Sequence, residues 1–291
     1  MSRRLIVNAD DLGMSAGVNR GIVEAHRHGI VTSTTVLVNA AAAEAGIARV
    51  LREAPAMGLG LHVNLTHGRP VLPPARVPSL VRSDGTFVSF TRGLGWPLHW
   101  DRVDVVAEVE AQFERFVELA GRLPDHLDSH QLVGSISGFC SEAMVRLARR
   151  HGLPMRRGGR SMLQRAEKEL RAWGDLPEAV TDVVRRIPAV RAATGGMGEI
   201  TSPDAFELRF LGERATVTRL LRILRHLPEG STELVCHPGY ASEDSDGYRF
   251  REVELRALTD PRVRDHVRSC GIELIAFADL VRQRNGDAGG G

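Results

Sequence analysis

Apolar and polar positions along this chain follow two alternating periods, and the changes of period mark out its elements. Leu5-Ile-Val-Asn-Ala9 is a short, mostly apolar run that stops at two adjacent carboxylates, Asp10 and Asp11, followed by Gly13. Such a run reads as a strand buried on both faces of a parallel sheet, and its polar C-terminal end reads as the mouth of a site. Val18, Ile22 and Ala25 then recur at helical spacing as far as Gly29. Residues 32–39 read as a second strand, about 42–52 as a helix, and 58–65 as a third strand with His62 near its end. An order of β, α, β, α, β predicts a mostly parallel sheet wrapped by helices.

The pattern breaks between Thr66 and Trp100, where Pro70, Pro73, Pro74, Pro78 and Pro97 interrupt any period. A loop this long inside a compact domain usually serves a site, and Phe87, Phe90, Trp96 and Trp100 argue against disorder. The segment is expected to be a substrate lid or wall, with Trp96 and Trp100 first among the aromatics that stack on substrate. The competing expectation makes both tryptophans core residues that pin the loop. Beyond it, Val105, Val109, Phe113, Phe116 and Ala120 space a long amphipathic helix closed by Gly121 and Pro124. Residues 126–130 are short and densely polar. Residues 143–150 read as a helix, 153–157 as a strand, 161–187 as an Arg-rich helix, 214–226 as a helix, and 233–238 and 271–276 as strands. The chain thus reads as one α/β domain over residues 1–285, a distorted (β/α) barrel with mostly parallel strands, and a glycine-rich, disordered tail over 286–291.

Composition narrows the function classes. The 38 basic and 36 acidic residues nearly cancel, and the basic ones are scattered, so neither nucleic acid nor an anionic membrane surface is an expected partner. Cys140, Cys236 and Cys270 lack paired spacing and read as buried thiols in a reducing compartment, not as disulfides or a zinc–cysteine site. No stretch approaches a membrane span and no signal-like segment opens the chain, so a cytoplasmic location is expected.

Four strand ends carry ionisable groups: Asp10 with Asp11, His62, Asp128 with His130, and His237. In an α/β barrel the C-terminal strand ends face one mouth, so these groups can converge there. One carboxylate and two imidazoles with open positions form a hydrolytic metal site. The mixed nitrogen and oxygen set favours Zn²⁺, with Co²⁺, Ni²⁺ and Fe²⁺ next and Mg²⁺, which prefers all-oxygen shells, last. Spacing alone leaves open which carboxylate ligates.

Five motifs, Val7-Asn-Ala-Asp-Asp-Leu-Gly13, Gly29-Ile-Val-Thr-Ser-Thr-Thr35, Gly60-Leu-His-Val-Asn-Leu65, His126-Leu-Asp-Ser-His130 and Val235-Cys-His-Pro238, together resemble the YdjC family, whose best-known members are chitooligosaccharide deacetylases. The resemblance implies a homo-oligomeric, metal-dependent hydrolase in which activated water attacks the amide of an N-acetylated sugar. It also implies one divalent ion held by Asp11, His62 and His130, Asp10 as general base and His237 as general acid. The chain departs from the family's pattern after His130, where Gln131, Leu132, Val133 and Gly134 stand in place of further histidines, which leaves the acetylated sugar open. Arg157 is a candidate substrate contact, and Arg156, Arg157 and Arg160 around Gly158-Gly159 are the only candidates for a phosphate clamp. Two alternatives stand beside this reading: a metal hydrolase acting on another amide or an ester, and a sugar-binding relative that has lost catalysis.

Overall fold

The computed structural model describes residues 2–88, 100–156, 200–240 and 248–288. Its centre is β1 (Arg3–Leu12), whose residues are fully buried from Leu5 onward. A strand covered on both faces has no polar stripe to reveal its register, which is why its sequence shows a run instead of an alternation. The elements that follow are α1 (Ala16–His28), β2 (Ser33–Val36), α2 (Ala43–Glu53), β3 (Gly58–Val63), α3 (Arg102–Ala120), β4 (Leu127–Ser129), α4 (Val133–Ile136), α5 (Gly138–His151), β5 (Ala205–Glu207), α6 (Val217–Arg225), β6 (Gly230–Cys236), α7 (Arg251–Thr259), α8 (Pro261–Ser269), β7 (Ile272–Leu274) and α9 (Phe277–Ala288).

All strand pairs are parallel, in the order β4-β3-β2-β1-β6-β5. β6 occupies one edge of β1 from Arg3 to Ala9, so the other edge is shared, with β7 opposite Arg3–Leu5 and β2 opposite the second half. The sheet curls into an open half-barrel. Beside β4, the Leu127 N–H donates to Pro154 O and the Arg156 N–H to Leu127 O, and Met155 N–H donates in turn to Thr201 O, ahead of β5. The extended run expected over 153–157 is therefore a one-bridge splice in the described part of the barrel.

Local chemistry sets the helix ends. Ser15 caps α1 by accepting from the Val18 N–H, Asp101 caps α3 through the Val103 N–H, and Gly121 ends α3 in the left-handed region at φ 66°. Asp260 and Pro261 start α8 in the same way, with the proline at the first helical position where its missing N–H costs nothing. α1 returns along the sheet and meets the loop after β6 without intervening side chains. A Cβ on Gly21 would stand 2.5 Å from the Gly239 Cα, so only glycine permits this approach.

The proline-rich segment is fixed along its described part, 66–88. Two side chains of α3 reach its backbone, Glu108 accepting from the Val71 and Leu72 N–H groups and Asp104 from Ser79 N–H, and just ahead of it Gln112 exchanges hydrogen bonds with both backbone groups of Asn64. Val77, Leu80 and Phe87 are buried beneath it. Trp100 is buried too, 8% exposed within the main apolar core. Trp96 and the expected helix over 161–187 lie outside the described residues. At the C-terminus, α9 runs to Ala288, three residues into the segment read from its glycines as a disordered tail.

Candidate active site

The C-terminal ends of β1, β3 and β4 bring Asp10, Asp11, His62, Asp128 and His130 into one buried cluster, as the strand-end pattern anticipates. Two overlapping sets of metal-ligating type occur among the described residues, Asp11 with His62 and His130, and Asp10 with His62 and Asp128. In each set the donor atoms lie within 4.8 Å of one another. In the first, Asp11 Oδ1 stands 3.0 Å from His130 Nδ1 and 3.5 Å from His62 Nε2. Donors about 2.0–2.2 Å from a tetrahedral cation are separated by about 3.3–3.6 Å, so this set fits one divalent ion.

The second set is already served. Arg156 grips both oxygens of Asp10, with Nη1 at 2.8 Å from Oδ2 and Nη2 at 2.7 Å from Oδ1. The same Nη2 lies 2.9 Å from Asp128 and 2.7 Å from Glu233, while Nε donates to Glu233 Oε1. The guanidinium thus supplies the positive charge that three carboxylates require. Arg156 is buried and faces inward, so it is no phosphate clamp, and Arg157 and Arg160 lie outside the described residues.

Side chains behind the cluster orient it. Asp128 Oδ1 is 2.6 Å from His62 Nδ1 and Thr35 donates to Asp128 Oδ2, which leaves His62 Nε2 facing Asp11. Asn8 donates to Asp10 Oδ1. Arg251, on the first turn of α7, donates to Asp11 Oδ2 at 2.8 Å. Backbone strain concentrates here as well. Asp11, Gln131 and Leu132 are the non-glycine residues with positive φ among those described, at 73°, 51° and 57°. Each left-handed residue costs on the order of 1 kcal/mol and persists only where the surroundings enforce it. The Gln131–Leu132 turn carries the backbone from His130 into α4.

Charge states follow from burial set against these partners. For Asp10, burial opposes ionisation but the Arg156 guanidinium and His62 outweigh it and hold the carboxyl well below the usual range. Asp11 is lowered in the same way by Arg251 and His130 against the cost of burial. Burial works against a charge on His62, yet Asp128 and Asp10 push it up to about 10. Negative potential of this strength at one imidazole is the environment a cation requires.

His237 follows β6 and is the most accessible of the candidate groups, with its side chain 23% exposed against 2% for His62 and 9% for His130. Its backbone N–H donates to Glu254 Oε2 at 2.5 Å, its Nδ1 lies 3.9 Å from that oxygen, and the Tyr248 hydroxyl donates to Glu254 Oε1. Burial raises the Glu254 carboxyl against the pull of His237 and Tyr248. Sequence reasoning passes over Glu233, Tyr248, Arg251 and Glu254, because each occupies a position that reads as an ordinary polar residue of a strand, turn or helix.

An open parallel barrel with Asp, His and His at its mouth defines a class of α/β proteins built for hydrolytic chemistry. The family model described as YdjC-like protein matches residues 4–269, and the chain belongs to that family. It is 33% identical to a chitooligosaccharide deacetylase of Proteus mirabilis over 287 residues, covering 97% of this chain and 100% of that protein. It is likewise 33% identical to a protein of the same name from Salmonella paratyphi B over 286 residues, covering 96% and 100%. Among solved structures it is similar to a protein from Enterococcus faecalis V583 assigned to cellobiose-phosphate cleavage, with a TM-score of 0.77, 29% identity, and 96% and 99% of the two chains covered. The Xyl-CE4 domain of a xylanase from a Trinervitermes trinervoides hindgut metagenome shares the fold at a TM-score of 0.52 and 8% identity, covering 98% and 92%. No helix among the described residues is long and apolar enough to cross a membrane.

Proposed function

We propose that this protein is a metal-dependent hydrolase that removes the acetyl group from an N-acetylated amino sugar or oligosaccharide. The observation that carries the reading is the division of the two adjacent aspartates. Asp11 turns one oxygen toward His62 and His130, whereas Asp10 is held beside them as an ionised carboxylate by Arg156. The names of the full-length relatives at 33% identity support an acetylated sugar as the substrate.

Asp11, His62 and His130 would hold the ion, and when bound it supplies Lewis acidity toward water and toward the acyl oxygen. Asp10 accepts the proton of the attacking water, in line with its place 3.9 Å from the ligating nitrogen of His62. His237, across β1 on the β6 side, gives a proton to the departing nitrogen, a role that its greater exposure supports. Glu254 receives the His237 N–H and so fixes the residue that carries the acid. Asp128 holds His62 in the tautomer that leaves Nε2 free to ligate.

Acetate release from N-acetylated mono-, di- and oligosaccharides, measured with and without chelator, tests this. Release that a chelator abolishes and zinc restores is expected. Zinc-loaded protein that binds acetylated sugars and releases no acetate from any of them would instead make it a sugar-binding member of the barrel family.

A further inference from the structure

We infer that Arg251 is a positioning residue for the metal site: it confines Asp11 to one ligating oxygen and lowers the affinity for the cation in return for an open, strongly polarising site. The inference rests on the metal-site reading above and adds a residue that the sequence pattern does not single out. Arg251 is 1% exposed and donates from Nη2 to Asp11 Oδ2 at 2.8 Å, while Asp11 Oδ1 faces the two histidines. The two carboxylate oxygens are thus divided between a guanidinium and the ligand cluster. A carboxylate free to turn would offer both oxygens to an ion and fill a position that water or substrate needs.

The choice of a guanidinium is informative. A neutral donor, an Asn or a Ser, could hold Oδ2 equally well and would leave the full charge of Asp11 for the cation. A buried arginine next to a metal ligand repels the ion through a poorly screened medium. Its presence therefore costs affinity, and what it returns is a ligand set whose carboxylate charge is offset, so that less of the ion's electron demand is met by the protein. Arg251 is also tied to the acid side of the site. Its carbonyl accepts from the Gly239 N–H, two residues after His237, and its guanidinium carbon lies 5.5 Å from the centre of the Tyr248 ring. One residue, through its carbonyl and its guanidinium, joins the loop that carries His237 to the carboxylate that carries the ion.

The test uses the full chain with Arg251→Met and Arg251→Gln, zinc affinity by competition with a chromogenic chelator, and the visible spectrum of the cobalt(II) form. Arg251→Met is expected to bind zinc about tenfold more tightly than wild type. Its cobalt form is expected to absorb more weakly, because the second oxygen of Asp11 joins the ion and raises its coordination number. Arg251→Gln, which loses the charge and keeps a donor, is expected to bind more tightly with the wild-type spectrum; if Arg251→Met does not fold, its affinity alone decides. Zinc binding no tighter than wild type in the folded variants overturns the inference, since a role limited to packing α7 moves neither readout. Wild-type protein that binds no zinc ends the metal-site reading itself, whereas zinc-binding wild type with unaltered variants ends only this one.

Discussion

Asp128 supports His62 from behind, with a carboxylate oxygen 2.6 Å from the ring nitrogen that faces away from Asp11. The contact fixes both the tautomer and the tilt of the imidazole, and Thr35 in turn fixes Asp128. Asp128→Ala is expected to lower zinc affinity by about 10–100-fold while the barrel stays folded. Chelator competition on the purified variant measures this directly, and wild-type affinity would reduce Asp128 to a partner of Arg156.

Asp10→Asn separates the two aspartates. The amide keeps the shape of the side chain and cannot take a proton from water, so turnover should fall by about 10²–10⁴-fold with zinc content unchanged. Elemental analysis beside acetate release reads both quantities. Zinc lost together with activity would mean that Asp10, and not Asp11, is the ligand.

Trp100 is expected to act on stability and not on substrate. Buried at the root of α3, its replacement by Ala should cost about 3–5 kcal/mol, with KM unchanged in the folded fraction. Chemical denaturation gives the first quantity and initial rates the second. A variant that melts like wild type with a raised KM would return the indole to the substrate wall.

Glu233 supplies a pH signature. Burial is the main cause that lifts its carboxyl from 4.5 to about 7, only partly offset by Arg156, and its buried Oε2 has no hydrogen-bond partner among the described residues. A folded-state value above the unfolded one means that folding favours the protonated acid. The resulting stabilisation is complete below about pH 4.5 and is lost as the pH rises through about 7. Glu233→Gln mimics the protonated acid at every pH, so relative to it wild type should lose on the order of 3 kcal/mol across that window. Melting temperatures of both proteins from pH 4.5 to 8 test this; a constant gap between them would rule it out.

The legible parts of the sequence were those where burial and chemistry leave a pattern in residue type. β1 shows as an apolar run because both of its faces are covered, and Asp10, Asp11, His62, His130 and His237 show because each interrupts or ends a strand. Arg251 and Glu254 are hidden for the opposite reason. Hydrophobic periodicity scores a buried charge as a surface residue, and α7, with Arg251 and Glu254 buried beside Leu255 and Leu258, has no clean apolar stripe. Arg156 was legible only as a charge near two glycines, since its target carboxylates lie 146 residues and 77 residues away. Trp100 was ambiguous because an indole before a helix serves a core or a binding wall equally well.

The contact of Gly21 with Gly239 sets a fixed gauge for the reaction. α1 springs from the strand that ends in Asp10 and Asp11, and its flank rests backbone to backbone on the loop that begins at His237. At Gly21 the neighbours within reach are backbone atoms of Gly239, which cannot rotate aside to absorb a change. On the proposed reading, a single methyl group at Gly21 would pass undamped into the spacing between the group that takes a proton and the group that gives one. Turnover would then be lost at a position that touches neither ion nor sugar.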